Sequence, residues 1–399
     1  MTPFLKKILG MNWVIILVMY ALLAFGVLMI ESAARHLAIG DEALKEFGGA
    51  GPWYAAMQQR WIIIGSVIYF ATALIDYRWI RWLGIPFYLV GLVLMILAMQ
   101  QDDSVHRLSL FGLSFQPAQL GITSGTILIA WLSQDLPKLH PWFASPVARI
   151  SLIAGVAAVP FLMVMKMGDM GSALVWIPVV LVALLVSGIP FRYLTFMGLI
   201  GAGLLPLLYF VVLPMVSKRG PERIDTWLRM LQGREVDISN EAYAPHNISM
   251  AVGKAGWKGV GWNAGVETGS LHAKAFIPKD TAHNDYIFAV IAEETGFRGG
   301  LLLILAFGVL IVQGLIIAYY SRDLTGRLLA SLVVALFFAH VFESIGMCIL
   351  LTPITGIPLP LVSYSGTFVV VSMMLLGLVQ SVWIHRSNET MEPETSRTA

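Results

Sequence analysis

The stretch AHNDYIFAVIAEETG, residues 282–296, concentrates groups that could do chemistry. Asp285 stands near its start, with His283 two residues earlier and an apolar helical pattern from Tyr286 onward. A carboxylate there can cap the helix, because an Asp oxygen accepts from the first unpaired N–H groups. It can equally act as a general base where a long polar segment meets an apolar one. Glu293 is two turns, about 12 Å, further along the helix and is no partner for Asp285 on that helix alone. Glu294 has Arg298 four residues on as a balancing charge. Asp169, in KMGDMGSAL, is either a helix-start residue or a second functional acid, and Glu343 either a buried hydrogen-bonding group or a catalytic one. Arg107, Arg223, Lys274 and Lys279 could meet an anionic ligand.

Other motifs narrow the field. The prolines and glycines of TPITGIPLPLVSYSG, residues 352–366, forbid regular helix there. Irregular backbone at membrane depth must be buried in protein or line a cavity; a stiff outer turn is the less favoured alternative. QPAQ, residues 116–119, places a proline in the tolerated first turn of a helix. The glycine run 253–269 lacks the strand and helix that a phosphate-cradling loop needs, so tight backbone packing accounts for it better. No HExxH, Walker or GxSxG element occurs. The single cysteine, Cys348, excludes an intrachain disulfide and a Cys-based zinc site. A net charge of +2 gives no reason to expect nucleic acid.

The elements that must position these groups are membrane helices. Of the 399 residues, 57% are hydrophobic and only 13% charged, and the mean hydropathy is +0.77. Apolar runs recur at 13–30, 61–75, 82–99, 119–133, 150–165, 171–187, 193–213, 300–319, 328–350 and 367–384. The expected fold is an all-α polytopic membrane protein, a single integral membrane domain over 1–399 with about ten transmembrane helices. The first run is too long for a signal-peptide core and is read as an uncleaved helix. Lys and Arg in the short loops favour one side by eleven to five, which places both termini in the cytoplasm. The long segment 215–285, between the seventh and eighth runs, is then extracytoplasmic. It carries Trp227, Trp257, Trp262 and Phe276, so it is not disordered in composition, and 223–231 reads as an amphipathic helix on the membrane surface. The tail 388–399 reads as short, disordered and cytoplasmic.

At this point the motifs resemble a known family. PITGIPLPLVSYSG resembles the PvTGiPLPfiSYGG signature of the SEDS proteins, the RodA/FtsW/SpoVE group, and HNDYIFAVIAEETG resembles their HTDFIFAvlaEElG. Arg107 with FQPAQ, GDMGSAL, Arg223-Ile224 and AVGKAGWKGVG match further family segments in order. The resemblance implies the SEDS fold and a peptidoglycan glycosyltransferase that polymerises lipid II on the outer face of the bacterial cytoplasmic membrane. It implies a class B penicillin-binding transpeptidase as partner, and Asp285 as the essential acid. Asp169, Arg107, Arg223, Lys274, Lys279, His283 and Ser363 become candidates for binding substrate, and a divalent cation, Mg2+ or Mn2+, could assist at the diphosphate. A RodA-like role in elongation is weakly favoured over a division role by the short tail.

This chain departs from the family at several positions. The family's QPSE-x-x-K becomes QPAQ with Ile122, so Gln119 and Ile122 replace an acid and a base. A neutral pair is cheaper to bury than an imperfect ion pair, and the site is expected to be structural, pinning the fourth span. Gly168, Asn247-Ile248 and the longer FIPKDTAH segment with Lys279 also differ. Two alternatives to the transferase are a lipid flippase or transporter, and a non-catalytic scaffold of the wall machinery. The first should gather polar residues near the midplane, and the second should leave Asp285 dispensable.

Overall fold

The computed structural model describes residues 3–38, 40, 45–100, 108–110, 113–216, 219–238 and 242–387. Arg107 and the tail 388–399 lie outside the described residues. In a bilayer each segment must satisfy its own backbone, and helices cover all ten apolar runs. They are α1 (Trp13–Ala34), α2 (Ala50–Leu74), α3 (Ile80–Met99), α4 (Pro117–Leu139), α5 (Pro146–Lys166), α6 (Met170–Leu174) with α7 (Trp176–Val186), and α8 (Phe191–Leu207). The long segment contains α9 (Arg219–Leu231) and α10 (Tyr243–Lys254), and α11 (Ile287–Tyr319), α12 (Leu324–Cys348) and α13 (Gly366–Ile384) complete the bundle. Among the described residues, seven helices are long and apolar enough to cross a membrane. The runs outside that seven are α2, which carries Gln58, Gln59 and Arg60, α4, which carries Gln119, Thr123 and Ser124, and the sixth run, split at Val175. One departure from the all-helical expectation is a small antiparallel hairpin of Leu108–Leu110 with Leu113–Phe115.

The helix α12 is the centre of the bundle. It packs on α4, α7, α11 and α13 and is buried nearly all round. The α13 helix packs along α2, and α1 lies against both α2 and α11. At the periphery, α3 and α8 expose Leu83, Val93, Phe196 and Leu199, side chains that suit lipid rather than water. Asn12 begins α1 by accepting from the Val14 and Ile15 N–H groups, while its amide donates to Gln313 of α11 at 2.9 Å.

Two irregular features position the site. The α11 helix breaks at Gly296, whose φ of 70° and ψ of −167° only glycine adopts readily. Into that break docks the glycine run of the long segment. Val260 N–H donates to Glu293 O at 2.9 Å, Gly261 N–H to Glu294 O at 3.0 Å, and Phe297 N–H to Gly256 O at 2.9 Å. A Cβ on Gly259 would collide with the backbone at Glu294, and one on Gly296 with the backbone at Gly259. The run is therefore a backbone-to-backbone joint, as the packing reading expects. The second feature is the segment between α12 and α13. It has no regular structure from 352 to 365, yet Ile357, Leu359, Leu361 and Val362 are completely covered by protein. A stiff outer turn would be exposed, so the reading as irregular backbone buried in protein is the one that holds.

Candidate functional site

The junction between the long segment and α11 is built by these two features. The cap position of α11 falls on Tyr286, so Asp285 stands one residue outside the helix. The backbone just before it is clamped by the buried segment that precedes α13. Tyr364 N–H donates to His283 O at 3.0 Å. The Ser363 hydroxyl donates to Asn284 O at 2.6 Å and accepts from Leu359 N–H at 2.8 Å. Gln58 from α2 donates to Ser363 O at 3.3 Å. The Asp285 carboxylate itself lies over Gly356, where a Cβ would come within 3.4 Å of its Oδ2. Gly356 also has φ +75°, a conformation that side chains rarely adopt.

Arg223 comes to this junction from α9. The amphipathic helix expected over 223–231 forms as part of Arg219–Leu231. Residues i and i+4 share a face, and Arg223 donates to Ile354 O at 3.5 Å while Trp227 Nε1 donates to Leu350 O at 2.9 Å. The opposite face carries an exposed ion pair, Asp225 with Arg229 at 2.8 Å. The Arg223 charge is felt by both Tyr286, next to Asp285, and Asp169. Burial and the neighbouring Asp285 charge push the Tyr286 phenol well above its ordinary range.

Asp169 anchors a second polar cluster. It is the cap of the short α6, accepting from Ser172 N–H at 3.0 Å, so the helix-start reading is right as far as it goes. Its Oδ2 also takes the Ser172 hydroxyl at 2.7 Å and the Gln116 amide at 3.0 Å. Desolvation pushes its carboxyl above the usual carboxylate range, opposed by Ser172, Gln116 and Arg223. The cluster continues inward, with Gln119 Nε2 on Ser172 Oγ at 3.3 Å and Gln119 Oε1 at 3.2 Å from His340 Nε2. Gln119 thus joins α4 to α6 and α12, and Ile122, one turn on, is fully buried. Glu343 is buried on α12, within reach of the Asp169 charge and of the Thr355 hydroxyl.

The remaining candidates take varied positions. His283 is buried with its ring 4.5 Å from that of Tyr54 and 5.5 Å from that of Tyr364. Ser363 is buried, with its hydroxyl engaged on both sides by backbone, which makes it a positioning group for the strand of chain that carries Asp285. Lys274 and Lys279 are exposed on the long segment, and the Lys279 charge falls on His36. Glu294 does not look to Arg298. It is buried and accepts from the Ser32 hydroxyl of α1, while Arg298 lies beyond the helix break and is exposed. Glu293 accepts from the Leu271 and His272 N–H groups and so fastens the long segment. Sequence reasoning missed Gly356 and His340. The first had a signal, its place in the proline motif; a lone histidine in an apolar run had none.

Among the described residues no group of three or more His, Cys, Asp or Glu side chains is placed to hold a metal ion. What the junction offers is a carboxylate over bare backbone, a guanidinium close by and an apolar bundle beneath, which suits proton abstraction beside an anionic leaving group.

Comparison with known proteins gives a consistent picture. The FtsW/RodA/SpoVE family profile, described as cell cycle protein, matches residues 12–388. The peptidoglycan glycosyltransferase MrdB of Escherichia coli K12 is 28% identical over 309 residues, 75% of this chain and 78% of that one. A chain solved in a peptidoglycan synthase complex that coordinates polymerization and crosslinking shares the fold with a TM-score of 0.72 at 23% identity, over 95% of this chain and 99% of that one. The rod shape determining protein RodA of Thermus thermophilus shares it with a TM-score of 0.60 at 22% identity, over 95% of this chain and 98% of that one.

Proposed function

The chain belongs to the FtsW/RodA/SpoVE family of cell cycle proteins, and we propose that it is a peptidoglycan glycosyltransferase that polymerises lipid II at the outer face of the cytoplasmic membrane. The activity follows the relative named for it. The observation that carries the site assignment is the Asp285 carboxylate against Gly356, with Arg223 reaching the same junction.

The reaction uses the chain's own residues in two roles. Asp285 takes the proton from the acceptor sugar hydroxyl as that oxygen bonds to the anomeric carbon of the donor. The bond from that carbon to the diphosphate oxygen breaks, and the electron pair leaves with the diphosphate. Arg223 offsets the charge that develops there. Asp285 ends protonated and returns the proton to water. The apolar bundle holds the polyprenyl chain. A divalent cation would bind as a companion of the diphosphate and add positive charge beside the leaving oxygen. A class B penicillin-binding transpeptidase is the partner, in keeping with the synthase complex whose chain shares this fold. Both termini then face the cytoplasm, and the long segment faces outward.

The test is polymerisation of fluorescent lipid II by the purified full chain, with and without its transpeptidase, resolved on a gel. Asp285→Asn keeps size and hydrogen bonding but removes basicity. It should fold normally and polymerise at least about 10²-fold more slowly. Near-normal glycan synthesis by that variant overturns the assignment.

A further inference from the structure

The chain of groups running inward from Asp169 has a property that none of its members has alone. We infer that Asp169 and His340 share one proton through Ser172 and Gln119, so that His340 is a positioning residue that sets the charge of Asp169. Hydrogen-bond polarity along the chain limits how many protons it can hold. His340 Nδ1 lies 2.9 Å from Leu336 O. A carbonyl only accepts, so Nδ1 carries the hydrogen. A neutral imidazole then has a bare Nε2, which can only accept. A serine hydroxyl has one hydrogen to donate, and an ionised carboxylate has none.

Two arrangements satisfy every link. In the first, Asp169 is ionised and receives the Ser172 hydroxyl at 2.7 Å. Ser172 Oγ must then accept from the Gln119 amide nitrogen at 3.3 Å. That turns the Gln119 oxygen toward His340 Nε2 at 3.2 Å, which must carry a second hydrogen, so the ring is an imidazolium. In the second, the Gln119 amide is reversed. Its nitrogen donates to a neutral His340, its oxygen accepts the Ser172 hydroxyl, and Ser172 in turn accepts from a protonated Asp169. Each arrangement has one proton on the pair. With no proton on the pair two acceptors face each other; with two, the Ser172 oxygen must accept from both sides, which leaves its own hydrogen without an acceptor in the chain and the buried imidazolium without a counter-charge, and inside the bundle either defect is expensive.

The surroundings complete the case. His340 is fully buried, and its other ring neighbour is Phe368 of α13, centroids 5.0 Å apart. Asp169 faces Gln116 and Ser172, the Arg223 charge from α9 and the Glu343 carboxyl from α12. The consequence for catalysis rests on the glycosyltransferase reading. An ionised Asp169 draws on the Arg223 charge, whereas a protonated one leaves that charge to the diphosphate.

Infrared titration of the full chain in lipid nanodiscs tests the sharing without any appeal to activity. The protonated-carboxyl C=O band of Asp169 is identified by its loss in Asp169→Asn, and its intensity is followed against pH. Two variants break the chain differently: His340→Gln removes the second titrating group, and Gln119→Leu removes the relay while leaving both titrating groups. In the unaltered protein the band should stay nearly level over a wide pH range, because the pair resists holding two protons or none. In either variant it should become an ordinary single step with its midpoint moved by about one pH unit or more. Should one variant fail to fold, the other decides. An identical band profile in the unaltered protein and in a folded variant overturns the inference, and leaves the glycosyltransferase reading untouched.

Discussion

One hydroxyl, that of Ser363, closes two backbone gaps at once. It satisfies Leu359 N–H and Asn284 O, the first bond buried and the second partly so. Ser363→Ala strands the buried Leu359 N–H, at a cost of about 1–3 kcal/mol, and removes one bond to Asn284 O. The variant should melt earlier in detergent and lose kcat more than it raises KM, because the chain that holds Asp285 is loosened while the ligand groups stay in place. A variant with unchanged melting and unchanged kcat would remove Ser363 from the positioning role. His272 supplies a pH dependence. Its ring is buried beside His36, centroids 5.4 Å apart, and burial first, then the His36 charge, lowers its pKa from 6.5 to about 4. A histidine with a depressed folded pKa is neutral in both states above pH 6.5, where its contribution is fully present. Below that the unfolded chain binds the proton first, so stability is lost as pH falls from 6.5 toward 4. The ceiling at pH 5 is about 2 kcal/mol. Melting of the protein should therefore fall between pH 6.5 and pH 5 more steeply than melting of His272→Gln, and parallel slopes would exclude this role.

At the scale of elements, the joint between α11 and the glycine run decides whether the long segment has one position or many. Gly296→Ala places a side chain at φ 70° and drives its Cβ into the Gly259 backbone. The helix on either side can still form, so insertion should be normal, but the joint should open. Hydrogen exchange at 256–261 should rise by at least about tenfold, the consequence of losing roughly 1.4 kcal/mol of local stability. Unchanged protection there would mean that the joint tolerates a Cβ. The same joint brings Trp257 onto Phe297, stacked at 5.2 Å, and the next turns of α11 expose Leu301, Leu302 and Leu305. Lys258 and Arg298 are exposed beside them. Aromatic rings with cations at the end of an apolar span are the usual anchors at a membrane interface. The α9 helix is held differently, by the i, i+4 pair Arg223 and Trp227 on the segment between α12 and α13, so two separate elements of the long segment are fastened to the bundle.

The whole molecule is a multi-pass membrane protein in which several of the charged groups that could do chemistry meet at one place. Asp169, Arg223, Glu293 and Asp285 all lie at or beside the junction with the long segment. That arrangement makes a definite topological prediction. Reporters fused after Arg386 should read cytoplasmic, and reporters inserted at Gly265 should read extracytoplasmic, in line with the Lys and Arg bias of the short loops. A Gly265 reporter active only in the cytoplasm would reverse the orientation and remove the substrate from the side on which Asp285 stands.

Much of this was legible in the sequence because membrane helices report themselves locally. A run of apolar residues must be helical in a bilayer, whatever its neighbours, so all ten runs, the amphipathic α9 and the irregular proline segment could be placed by composition and period alone. Asp285 stood out as a candidate for a related reason, since a carboxylate at the border of a polar and an apolar segment is conspicuous. The kink at Gly296 was not, because a glycine inside an apolar helix looks the same whether or not another backbone docks on it. Neither was the partner of Glu294: spacing along a helix pointed to Arg298, but the break turned that residue away and Ser32 of α1 took the hydrogen bond. The chain from Asp169 to His340 joins four positions, 169, 172, 119 and 340, on three elements and the turn before one of them. Such a contact depends on distances in space between residues far apart along the chain, and only the packing of α4, α6 and α12 around one another determines them.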